Sequence, residues 1–214
     1  MDHPSYIKNT YDFVEKIKAL TLPDNCLLIT LDVESFYTNI DHTKGLQAVR
    51  DVMGNYPKYD PIIELLEISL KSNDFLFNDE WFIQKVGTSV GRDWAPHYAD
   101  IYIAKFEKEA LIKCPLKPQT YFRCLHDIFI IWSHGKDTFS GFLNMFNIHE
   151  SPIKFKSFIC IYSVIYLAIT VFEDPKNNNT FLTNRYSLYV AHTFFSSQTY
   201  VCFNDFITTY QYVH

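Results

Sequence analysis

Residues 26–40 read CLLITLDVESFYTNI, and this stretch decides the fold. Cys26 to Val33 is an apolar run of strand length, rich in Leu, Ile, Thr and Val. Such runs form strands buried on both faces. Asp32 stands next to its end. A carboxylate at the tip of a core strand is rigidly held and suits a divalent metal ion. Read alone, the same acid is better explained as a residue capping a turn.

Upstream, residues 4–20 carry a helical pattern with Tyr6, Phe13, Val14, Ile17 and Leu20 on one face. Pro23-Asp24-Asn25 breaks it. Downstream, Asp41 caps a helix through Leu46, Val49 and Val52. Asp60 caps the next, with Pro61 at its first position and Ile62, Leu65, Leu66 and Leu70 as its buried stripe. FLFNDEWFIQKV (75–86) reads as a hairpin turning at Asn78-Asp79. Gly87 to Gly91 forms a loop before a long helix over 93–113, where Pro96 fits only in the first turn. YFRCLHDIFIIW (121–132) reads as two short strands turning at His126-Asp127. A helix over 137–146 follows, and from Lys154 the pattern is β-rich, with a polar turn at 175–179. Helices packed on an antiparallel sheet, an α+β layer, account for this order.

The composition narrows the class. The 214 residues are 48% hydrophobic, with 19 Phe and 15 Tyr against 6 Gly, enough for a real core. Five cysteines (Cys26, Cys114, Cys124, Cys160, Cys202) show no CxxC pair and read as reduced thiols of an intracellular, nuclear or cytoplasmic protein. The N-terminus lacks the basic and apolar regions of a signal peptide. The uncharged stretch Ser157–Phe172 is shorter than the roughly 20 residues that span a bilayer. It reads as a buried hairpin or pair of strands, so no membrane is expected. The net charge of −5 is unusual for a chain that grips phosphates. Basic surface then lies in another segment, or the grip is weak.

Three stretches belong together: LLITLDVESFYTNI, GTSVGRDWAPHYADIYIAKFE and YFRCLHDIFIIW. In this order they resemble the reverse transcriptases of Penelope-like retroelements. SYIKNTYDFVEKI, the FLFNDEWFIQKVG hairpin and FLNMFNIHESPIKF extend the resemblance from about Ser5 to Phe172. It implies an RNA-directed DNA polymerase with a palm-like antiparallel sheet, helices on one face and the fingers largely missing. Residues 1–25 would be a remnant of the fingers, 26–172 the palm-like domain, and 173–214 a divergent β-rich segment.

The resemblance also implies roles. Asp32 matches the first metal-binding aspartate, with the Val33 backbone beside it. Tyr37 matches the aromatic that screens the nucleotide sugar. Gly87, Thr88 and Gly91, with Ala95 and Pro96, match the loop and helix that touch nucleotide and template. Mg²⁺ and an RNA or DNA template–primer are the implied cofactor and partner. The hairpin turn should read Tyr-x-Asp-Asp, yet it reads Cys124-Leu125-His126-Asp127, so Asp32 and Asp127 hold metal weakly. Mg²⁺ prefers anionic oxygen ligands. Imidazole brings nitrogen without negative charge and suits Zn, Cu or Ni. Between two carboxylates His126 tends toward the cation, which repels metal and pairs with Asp32. Ala168 likewise stands where the family has an aspartate. The expected function is a reverse transcriptase domain with impaired catalysis, or a non-catalytic binding module of the same origin.

Overall fold

The computed structural model of the chain describes residues 5–23, 25–54, 56–149, 152–173 and 180–185. The polar turn at 175–179 and residues 186–214 of the divergent segment lie outside the described residues. The order is α1 (Thr10–Lys18), β1 (Leu27–Val33), α2 (Phe36–Asn39), α3 (His42–Met53), α4 (Asp60–Lys71), β2 (Asp74–Phe77) and β3 (Glu80–Ile83). There follow α5 (Ala95–Lys113), β4 (Thr120–Cys124), β5 (Asp127–Trp132), α6 (Lys136–His149), β6 (Phe155–Cys160), β7 (Ser163–Tyr166), β8 (Ile169–Glu173) and β9 (Phe181–Arg185).

β1 is the axis of the molecule. It is inside a four-stranded sheet ordered β4-β5-β1-β6, antiparallel at every step. Strand side chains alternate between faces. Leu27, Ile29, Leu31 and Val33 therefore join Ile128, Ile130 and Trp132 on one face, against α3, α5 and α6. Leu28, Phe129 and Ile131 face the other way, onto Phe13 and Ile17 of α1 and the separate β7-β8-β9 sheet. The helices on one face are matched by a second cover on the opposite face. Burial on both sides is why β1 reads as a continuous apolar run rather than an alternating one.

The longest helix, α5, buries Tyr98, Ala99, Tyr102, Ile103, Phe106, Glu107 and Ala110. These are the 3–4 spacings of one helical stripe. α3 packs beside it at Gly45, where an added Cβ would collide with the Tyr98 ring. Asp41 caps α3 as the sequence predicts, its carboxylate accepting from the Lys44 amide at 2.9 Å. No helix among the described residues is long and apolar enough to cross a membrane.

Five local expectations are corrected. The first helix starts at Thr10, capped by Asn9, because Ser5 and Ile7 hydrogen-bond the Arg123 backbone in an extended bridge. Tyr6 belongs to that bridge and not to a helix face. Asp60 lies inside the first turn of α4, after a 3₁₀ turn over Pro57–Tyr59. α4 buries Ile63 and Leu70, while Ile62 and Leu65 are exposed. Apolar residues ring that helix, so its period does not choose a face; packing against α3 does. The second hairpin turns at Leu125-His126, one residue earlier than expected, because Cys124 pairs with Asp127 and closes a two-residue loop. Leu125 takes the left-handed conformation, φ +53°. Finally, Ser157–Phe172 contributes to three strands in two sheets: most of β6, then the β7–β8 hairpin.

Candidate metal centre

Asp32 and Asp127 are direct cross-strand partners on β1 and β5. Opposed residues share a face with Cβ atoms roughly 4.5–5.5 Å apart, and like charges placed so destabilise a sheet. The turn adds His126. One donor atom each from Asp32, His126 and Asp127 lies within 4.8 Å of the others. Asp32 is exposed as a residue, and His126 and Asp127 are half-buried.

Desolvation pushes both carboxyls above the usual aspartate pKa. At Asp32 the carboxyl group is desolvated although the residue as a whole is exposed. His126 opposes the rise at both acids, and the Val33 amide and Lys156 also oppose it at Asp32. Asp32 in turn adds to the rise at Asp127. The Nδ1 atom of His126 is buried and finds no hydrogen-bond partner among the described residues, so the expected pairing with Asp32 is not made through that atom. A buried polar atom left unsatisfied costs about 1–3 kcal/mol. The recess thus joins two opposed carboxylates to an imidazole nitrogen.

In this donor set the imidazole is the poor match for Mg²⁺. Mg²⁺ demands near-octahedral oxygen coordination and relies on carboxylates for charge. Here two carboxylates and a nitrogen converge.

The hairpin that presents His126 and Asp127 is anchored from behind. Arg123 on β4 is 2% exposed and donates to Glu107 at 2.8 Å, to Asp100 at 2.5 Å and to the Leu125 carbonyl at 3.1 Å. Tyr121 donates to Glu107 at 2.6 Å. From the second sheet, the Tyr166 hydroxyl donates to the Asp127 carbonyl at 3.1 Å. The guanidinium spans two carboxylates of α5 and the turn itself. The sequence reading missed these residues. One signal was readable: Glu107 is a charged residue on the buried stripe of α5, and such a residue requires a partner.

The other expected residues are placed by contacts of their own. Val33 is buried on the helix side, with its amide turned to Asp32. Tyr37 on α2 is half-buried beside Asp100, and both influences raise its pKa. Its carbonyl accepts from the Thr88 amide at 2.7 Å. The Gly87 amide donates to Ile40 at 2.9 Å, and its carbonyl lies 2.6 Å from His42 Nε2. Gly87 has φ +78°, and a Cβ there would sit 2.4 Å from the Tyr37 carbonyl. Glycine is thus required by close approach of the chain to itself. Gly91 faces open space, Pro96 is exposed in the first turn of α5, and Ala95 is buried. Ala168 and Leu167 form the β7–β8 turn, both at positive φ.

No family model matches the chain, and no curated protein sequence matches it. Solved structures do. Telomerase from Candida albicans, in complex with a TWJ fragment of telomeric RNA, matches with TM-score 0.67 at 13% identity, over 94% of this chain and 39% of that one. Apo telomerase from Candida tropicalis, truncated from the C-terminal domain, matches with TM-score 0.63 at 15% identity, over 86% and 41%. The BmCPV RNA-dependent RNA polymerase at its elongation state matches with TM-score 0.56 at 15% identity, over 85% and 18%. The chain spans less than half the length of each, and it has the fold shared by these polymerases.

Proposed function

We propose that this chain is a reverse-transcriptase-like palm of Penelope-like retroelement origin. It engages an RNA or DNA template–primer, and its nucleotidyl transfer is impaired by His126. The observation that carries this reading is the cross-strand pair Asp32–Asp127 with His126 beside it. Two opposed carboxylates at the ends of core strands cost stability and are best explained by chemistry that uses cations. The likeness to telomerase and to a viral RNA polymerase supports a nucleic-acid substrate. Phosphoryl transfer depends on metal ions that neutralise charge at the phosphate. An imidazole in the carboxylate set weakens that function without changing the fold.

The test is primer extension with Mg²⁺, comparing the chain with its His126→Asp variant. Background extension by the chain and a clear gain in the variant are expected. Equal extension by both refutes the impairment. A second reading, a non-catalytic binding module of the same origin, is favoured by the apolar surface of β2 and β3, where every residue is exposed.

A further inference from the structure

We propose that Asp32, His126 and Asp127 form a site for a borderline divalent transition-metal ion, with Zn²⁺ as the type case, in preference to Mg²⁺. The inference rests on the polymerase-like reading for the origin of the pocket and replaces the cation that reading implies.

Three observations carry it. The first is convergence: with donor atoms within 4.8 Å of one another, a single point lies within about 2.8 Å of all three. Zinc bonds to imidazole nitrogen and carboxylate oxygen at about 2.0–2.2 Å, so each donor closes by less than about 1 Å. The second is the donor type. One nitrogen and two carboxylate oxygens, with further positions left to water, match the three-ligand open zinc sites of enzymes, while Mg²⁺ gains little from imidazole. The third is the unsatisfied state of the site. Among the described residues His126 Nδ1 is buried without a partner, and two carboxylates face each other across the strands. A dication neutralises both charges and occupies the recess they share. The hairpin behind is held by Arg123, which is already committed to Glu107, Asp100 and the Leu125 carbonyl. Lys156, opposite Asp32 on β6, pairs with Glu34 at 3.2 Å.

The full chain, stripped of metal by chelation, is titrated with Zn²⁺ and with Mg²⁺ by calorimetry. Co²⁺ serves as the spectroscopic probe of coordination. Zn²⁺ is expected to bind with one-to-one stoichiometry, roughly 10–100-fold more tightly than Mg²⁺. The preference falls in Asp32→Asn and in His126→Gln, and turns toward Mg²⁺ in His126→Asp. The His126 ring-proton resonances shift on adding Zn²⁺ to the unaltered chain, a readout that needs no variant to fold. Equal affinities for the two ions, or Zn²⁺ binding that survives both Asp32→Asn and His126→Gln, overturns the assignment. Template–primer binding across a salt series in the same samples separates the two readings. Nucleic-acid binding without a zinc preference overturns the metal site alone. A zinc preference without nucleic-acid binding overturns the polymerase-like reading and leaves the metal site standing.

Discussion

Two aromatic hairpins, β2–β3 and β4–β5, look alike in sequence and end in opposite circumstances. Both close through two-residue loops with positive φ, at Asn78-Asp79 in one and at Leu125 in the other. β5 is buried along nearly its whole length, and β4 is tied to α5 through Arg123. β2 and β3 are exposed at every residue, with Trp81 71% and Phe77 61% open to solvent. Their base is pinned where Asn73 donates to Gln84 at 2.7 Å. An isolated two-stranded hairpin is marginal in water. Precision in side-chain placement therefore comes from what a hairpin rests on, and its turn alone does not supply it. The hairpin bedded on both faces is the one whose titratable groups, His126 and Asp127, converge with an acid of a neighbouring strand.

The strongest way to break this contrast is Arg123→Met. Its removal strands Glu107 as a buried charge, and a loss of about 3–5 kcal/mol is expected in urea unfolding. A loss below about 1 kcal/mol would show that packing alone holds the hairpin. Gly87→Ala comes next, at about 1–3 kcal/mol, because its Cβ meets the Tyr37 carbonyl at 2.4 Å with the backbone at φ +78°. A neutral outcome would mean that the loop after β3 is as loosely held as the hairpin.

Asp32→Asn has the opposite sign. It removes the like charge facing Asp127, so metal-free protein should gain roughly 0.2–1 kcal/mol at neutral pH. Both acids have folded-state pKa values raised above their unfolded ones. The folded state therefore binds these protons more tightly, and their contribution to stability falls as pH rises through the raised values. The gain in Asp32→Asn should accordingly shrink as the pH drops toward the ordinary aspartate range near ~3.9. A gain that persists unchanged in acid would rule out charge repulsion. The smallest effect belongs to Trp81→Ser, within about 0.5 kcal/mol, with β2 and β3 amides exchanging far faster than those of Ile128–Trp132. Equal protection of the two hairpins would dissolve the comparison.

What was legible in the sequence followed from local rules. The β1 run, the Asp41 cap and the Asn78-Asp79 turn each depend on a few neighbouring residues, and each is found where expected. The recess was legible only because Asp32 and the 125–127 turn could be ordered by resemblance; nothing local says that two strands 90-odd residues apart are paired. The buried face of α4 was hidden because Ile62, Ile63, Leu65, Leu66 and Ile68 surround the helix, and tertiary contact chooses among them. The turn was misread by one residue because Asp is a common turn former, while the pairing of Cys124 with Asp127 outweighs that preference. Arg123 was missed because its partners lie on another element.

The double pairing of Asp32, with Asp127 on one side and Lys156 on the other, acts as an index mark for three strands at once. Side-chain direction repeats every two residues along a strand, so sliding β5 by one position would carry Asp127 to the helix side and bring Ile128 into the recess. A single-residue insertion or deletion in any of these strands erases the constellation while leaving the apolar composition intact. Substitution at residue 126 changes its chemistry and leaves the alignment untouched. Such a frame tolerates exchange of side chains, and length changes preserve it only in the connections outside it.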